Sequence, residues 1–311
     1  MAFYLADEDP RAVGRALHWA QSNNAARLEI LAAGPPSSGP GAPPSIAGDL
    51  ARRASLLATP EGNGPPVGVW ATEGASAVPA QPAPVADPPV LPASHWALAG
   101  LITEAGALPI DDHGQLVAEV AGLEVARVVV PPSVPGFDDG DAAPTIEVGV
   151  GQADRELSTL VHTGDDVNTG LRRVVAAVVQ HRRNDGDSHH PLTRLARERW
   201  LRAVLLERPE LVDATELTPL VPLRPRQGLK RAEPSAAAGT LRSGRPVVVV
   251  AMVGIDLDLI PEAADYRARW NPEAAIVLVL PERDIALNTR LLPRLPDATA
   301  VGLAPPWSTW A

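Results

Sequence analysis

The sequence predicts an α/β protein made of two α/β units, with a mainly parallel C-terminal sheet and a helical, basic middle segment. Three observations predict it. Apolar, β-branched runs at 247–254 and 275–280 alternate with helical periodicity and end in acidic residues, the pattern of parallel strands joined by right-handed crossovers. The first 72 residues read helix, strand, helix, strand. Between these ends, residues 171–231 hold 13 Arg/Lys against seven Asp/Glu, in a chain of formal net charge −10.

The elements follow in order. Pro10 after Asp9 reads as a helix start, and Val13, Leu17 and Ala20 carry a helical stripe to residue 22. Residues 27–31 alternate like a strand. Residues 34–45 are rich in Pro, Gly and Ser. Helical periodicity returns over 46–57, and 67–70 is strand-like. Residues 75–93 form a Pro/Ala-rich linker. A helix is expected near 94–106, then strands at 116–130 and 145–150 as an antiparallel pair. Helices follow at 153–162, 168–183 and 191–208, and a loop at 219–244. The C-terminal part reads strand 247–254, helix 261–269, strand 275–280, helix 284–295 and strand 299–303. The expected organisation is thus an N-terminal α/β unit (1–74), the linker (75–93), an α+β middle region (94–218), the loop (219–244) and a C-terminal α/β unit (245–311). Both terminal parts carry a helix with Trp (Trp19, Trp270) and then Ala-Ala before an apolar strand, a candidate duplication.

Composition excludes several chemistries. The chain has no cysteine, so disulfides, thiolate zinc sites, iron–sulfur clusters and Cys nucleophiles are ruled out. One lysine, Lys230, stands against 26 arginines. No Gly-Lys-Ser/Thr occurs for a P-loop, and Lys230 lies in a loop-like stretch unsuited to a Schiff base. The excess of Arg, Ala, Pro and Gly over Lys, Ile and Phe matches a GC-rich, bacterial coding bias. The first residues lack a basic, apolar leader, and no apolar run approaches the ~20 residues that span a bilayer. The expectation is a cytoplasmic protein without membrane contact.

Four clusters are candidates for chemistry. Asp256 and Asp258 follow one strand, and Glu282 the next, at the strand ends where open α/β sheets bind ligands. Such carboxylates could hold Mg²⁺, or they could cap the following helices, Asp258 the helix opened near Pro261 and Asp284 the next. Glu119, Glu124, Glu147 and Asp154 lie on or beside the middle strands. Acids so placed resemble the restriction-endonuclease-like nucleases, in which an acid on one strand works with Asp/Glu-x-Lys on the next. The tripeptide at that place is Glu147-Val148-Gly149, which lacks the lysine. Solvent-facing carboxylates on a half-exposed hairpin are the simpler expectation. Gly149-x-Gly151-x-x-Asp154 departs from the dinucleotide fingerprint at its third glycine. His181, His189 and His190 with Asp185 and Asp187 match no metal-binding spacing.

The basic block completes the set. Arg194, Arg197 and Arg202 lie on or near the 191–208 helix, where phosphate or nucleic-acid contacts would fall. The sequence therefore supports two readings. The first is a non-catalytic binding or scaffold protein, meeting nucleic acid or an acidic protein through 171–231. The second is a metal-dependent, nuclease-like or phosphate-processing enzyme using Asp256, Asp258 and Glu282 with Mg²⁺. No other cofactor is expected.

Overall fold

The computed structural model describes all residues except 7–8, 35–44, 59–63, 132–142, 152–165, 184–188, 227 and 308–311. The helix expected at 153–162 lies outside the described residues, as do Asp154, Asp185 and Asp187. The chain divides into two compact units. Unit 1 comprises 1–87, 212–216 and 238–303; unit 2 comprises 88–211, 217–237 and 304–311.

Unit 1 opens with β1 (Ala2–Leu5), α1 (Ala12–Ser22), β2 (Leu28–Ala33), α2 (Ile46–Ser55), β3 (Val67–Glu73) and β4 (Ser76–Pro79). β1, β2 and β3 are parallel neighbours in that order, and β4 adds antiparallel to β3. Helix α2 starts as its sequence suggests: Ser45 accepts the Gly48 N–H at 3.0 Å, which satisfies one of the free amides of the first turn. Ala16, Leu17, Ala20, Leu50 and Ile30 are buried between helices and sheet. β1 escaped the sequence reading, and β4 falls inside the stretch read as a linker.

A second sheet has the order β13-β12-β11-β10-β9, with β9 (Ala214–Pro219), β10 (Ser235–Leu241), β11 (Pro246–Ala251), β12 (Ala275–Pro281) and β13 (Ala298–Leu303). β11, β12 and β13 pair in parallel. Leu241 N–H and Arg245 C=O close a tight turn between the neighbours β10 and β11, which only an antiparallel hairpin allows. The sheet is mixed, which corrects the expectation of a mainly parallel one. The miss has a physical cause. β10 reads Ser-Ala-Ala-Ala-Gly-Thr-Leu, and small residues carry almost no β-branched signal.

Two helices accompany β11–β13: α7 (Leu259–Trp270) after β11, and the single turn α8 (Ile285–Asn288) after β12. The two ends of the chain thus share one plan, β-α-β-α-β with parallel strands in sequential order, and Trp19 and Trp270 fall near the ends of corresponding helices. They form separate sheets, but α1 and α2 both pack against α7.

Unit 2 is built on an antiparallel sheet of β5 (Leu108–Asp111), β6 (Leu116–Val120), β7 (Leu123–Val129) and β8 (Thr145–Val148). The segment read as one strand at 116–130 is two strands, joined by the two-residue turn Ala121-Gly122. Both turn residues have positive φ (45° and 76°), as a type I′ hairpin requires. Short helices α3 (Ala93–Trp96) and α4 (Ala99–Glu104) precede the sheet. Helices α5 (Val167–His181) and α6 (Arg197–Glu207) follow it. Leu171, Val175 and Val178 of α5 pack on Leu116, Val125 and Val128.

Candidate functional site

In unit 1, the segment after β11 delivers its carboxylates to arginines of α1 and α2. Arg11, at the start of α1, bonds Asp256 and approaches Glu262 at 3.2 Å. Arg53, on the apolar stripe of α2, pairs with Asp258 and with Asp265 at 2.7 Å. Arg52 holds the other oxygen of Asp265 at 3.0 Å. Asp258, 2 % exposed, also accepts the Gly14 N–H at 2.7 Å.

This last bond revises the capping expectation. Asp258 precedes α7 but makes no side-chain bond to it. It satisfies a first-turn amide of α1 instead, where a negative group also complements the helix dipole. Asp284 makes no cap bond to its own helix either. It accepts the Gly254 N–H at 2.8 Å. Asn288 bonds Gly254 C=O at 2.9 Å and Asp256 N–H at 2.8 Å, so the loop after β11 is held from both sides.

The cluster sets three arginines against more carboxylates than they neutralise. Burial pushes the Asp258 carboxyl up to about 7, against the opposing pull of Arg53 and Arg11. For Arg53 the balance differs: burial lowers its pKa, but the surrounding carboxylates outweigh it and raise the pKa above the ordinary arginine value. Of the three residues proposed to hold a metal, Asp256 and Asp258 share this network, while Glu282 is exposed at the end of β12. Among the described residues, no group of three or more His, Asp or Glu side chains is gathered as a metal-ligand set.

Unit 2 contains a second ionic centre that places Arg202 otherwise than expected. Arg202 is 1 % exposed and pairs with Glu119, which also takes Arg199 at 3.3 Å. The arginines hold the Glu119 carboxyl below its ordinary value despite its burial. Glu119 and Glu124 are both buried, so neither is the solvent-facing hairpin acid expected; Glu124 pairs with Arg127 at 2.7 Å. Arg197 is half-buried. It donates to Thr193 C=O at 2.9 Å and lies over the Trp307 ring. Arg194 is exposed. The three predicted phosphate contacts therefore do not form one face.

Sequence reasoning missed Arg182, which caps the end of α5. It donates to the carbonyls of Ala121, Leu195 and Ala196 and stacks over Trp200 at 4.7 Å. Burial and then the charge of Arg199 push its guanidinium down to about 9. Among the described residues, its Nε has no hydrogen-bond partner, nor do Nε of Arg199 or Nε and Nη1 of Arg202. Beside this centre a cleft of about 620 Å³ opens between α5, α6 and the β5–β6 edge, with Glu119, Gln180, Arg182 and Arg183 in its wall. The rings of His181 and His190 stack at 3.6 Å.

Among the described residues, no helix is long and apolar enough to cross a membrane. Compared with known proteins, the chain matches no family model, no curated protein and no solved structure.

Proposed function

We propose that the chain is a non-catalytic binding or scaffold protein whose strand-end carboxylates hold its own helices together. The observation that carries this reading is the double engagement of Asp258, by the Gly14 amide and by the Arg53 guanidinium. A carboxylate spent on a buried arginine and a helix terminus has little left for Mg²⁺, which takes its ligands at ~2.1 Å in near-octahedral order. The partner that suits the basic block 171–231 is negatively charged. Arg172 and Arg173 of α5, Arg183 just beyond it and Arg194 expose the basic part of 171–231 to solvent. Arg182, Arg199 and Arg202 of the same block are internal, which favours a limited anionic contact over a long nucleic-acid track.

Calorimetric titration of the full chain with MgCl₂ and MnCl₂ tests the reading. No saturable heat is expected, and Asp256→Asn should lower the melting temperature without altering any metal response. Saturable Mg²⁺ binding that Asp256→Asn abolishes would establish the metal-enzyme reading instead.

A further inference from the structure

We infer that the cleft between α5, α6 and the β5–β6 edge of unit 2 binds a small molecule with an oxyanion head and an apolar body. The inference rests on the reading of the chain as a binding protein and gives that reading a ligand class.

The charge balance points to the head group. Arg182, Arg199 and Arg202 are buried together. Against them stands one firmly ionised carboxylate, Glu119, already shared between Arg199 and Arg202. Two other acids stand near: Glu207 lines the cleft wall but is exposed to solvent, and Glu198 is buried with its carboxyl raised above the ordinary range, so both neutralise the buried arginines poorly. Buried charge without a counter-charge is costly, and an incoming anion relieves that cost. Such a surplus of positive charge is the more telling in a chain of net charge −10.

Free donors and shape supply the rest. Arg182 spends its terminal nitrogens on backbone carbonyls and keeps an orphaned Nε. It shares the cleft wall with Glu119, Gln180, Arg183 and Glu207, while Leu108, Val120, Val179 and Leu206 supply much of the apolar lining. Pockets of this size, mostly apolar with a few convergent polar groups, are the usual form of small-ligand sites. Phosphate monoesters and carboxylates both present the geometry that a guanidinium recognises.

The test titrates the full chain with octyl phosphate, octanoate and inorganic phosphate. Octyl phosphate or octanoate should bind saturably and more tightly than inorganic phosphate, and whichever of the two binds better identifies the head group. Arg182→Gln should weaken that binding by about ten-fold or more, the worth of one charge-assisted hydrogen bond. Because Arg182 also ties together three backbone carbonyls, Val179→Glu serves as the second variant. Val179 is half exposed at the rim, and a carboxylate there should repel the ligand while leaving the melting temperature near that of the parent. The assignment is overturned if none of the three compounds binds into the millimolar range. Equal affinity for octyl phosphate and inorganic phosphate, or binding that neither variant weakens, overturns it as well. The Mg²⁺ titration reads a different unit, so the ligand can fail while the non-catalytic reading stands, and the reverse.

Discussion

Asp258 shows how one buried side chain sets a pH dependence. Its carboxyl is raised to about 7 in the fold, against a reference of 3.8. The folded state then keeps a proton that the unfolded chain releases, so this group's contribution is complete below about pH 4 and is lost as pH rises towards 7. His18, lowered by burial and by Arg290, works the other way, gaining stability as pH rises through the ordinary histidine range. Comparison with Asp258→Asn cancels the His18 effect. Between pH 4.5 and 8, the urea midpoint of Asp258→Asn should move upward relative to the parent. A gap that stays constant or moves downward refutes the raised carboxyl. Glu119 makes the opposite case, since its carboxyl is lowered by Arg202 and Arg199. Glu119→Gln strips both guanidiniums of their carboxylate and should cost about 3–5 kcal/mol at pH 7, read from denaturant unfolding. The parent's contribution from Glu119 should hold above the ordinary glutamate pKa near 4.5 and fade as pH drops below it.

Elements meet in this protein through glycines. A Cβ built on Gly14 of α1 would stand 2.0 Å from Leu257 C=O, so the helix lies directly on the loop after β11. A Cβ on Gly122 of the β6–β7 turn would stand 2.2 Å from the backbone of Arg199 in α6, and the residue has a positive φ of 76°. Neither approach is legible in sequence, because Gly14 is one small residue within a helical pattern and Gly122 one within an apolar run. Strong periodicity, by contrast, located α1, α2, α5, β11 and β12. The ionic centres left fainter traces. Arg53 falls on the apolar stripe of its helix, and Glu119 interrupts Leu-Val-Ala-x-Val; a charge on a buried face announces a partner without naming it. The partners of Arg53 lie more than 200 residues away, beyond any local pattern. Gly14→Val should therefore destabilise even though helix propensity alone favours valine over glycine by a few tenths of a kcal/mol, because the loop must move. A melting temperature equal to that of the parent would show that α1 is not seated on Leu257.

At the scale of the molecule, the dependence of unit 1 on both ends of the chain decides how it folds. α1 and α2 bring Arg11, Arg52 and Arg53; α7 and the loop before it bring Asp256, Asp258, Glu262 and Asp265. Residues 1–87 by themselves would leave Arg53 buried without an acid, or would expose the helix face that α7 covers. Either penalty is several kcal/mol, comparable with the whole stability of a small domain, ~5–15 kcal/mol. The fragment 1–87 should thus show no cooperative thermal transition by circular dichroism. Mixed with a fragment of residues 238–303, it should regain one, with a midpoint that rises with concentration because the two pieces associate. Charge reversal sharpens the test. Arg53→Glu in the first fragment should abolish reassembly, since it sets a like charge against Asp258, Glu262 and Asp265. A cooperative melt of 1–87 alone would make the N-terminal βαβαβ segment an independent domain and the ionic network an accessory to it. Dependence on the second fragment would make the paired arginines and carboxylates the joint through which two similar halves become one folding unit.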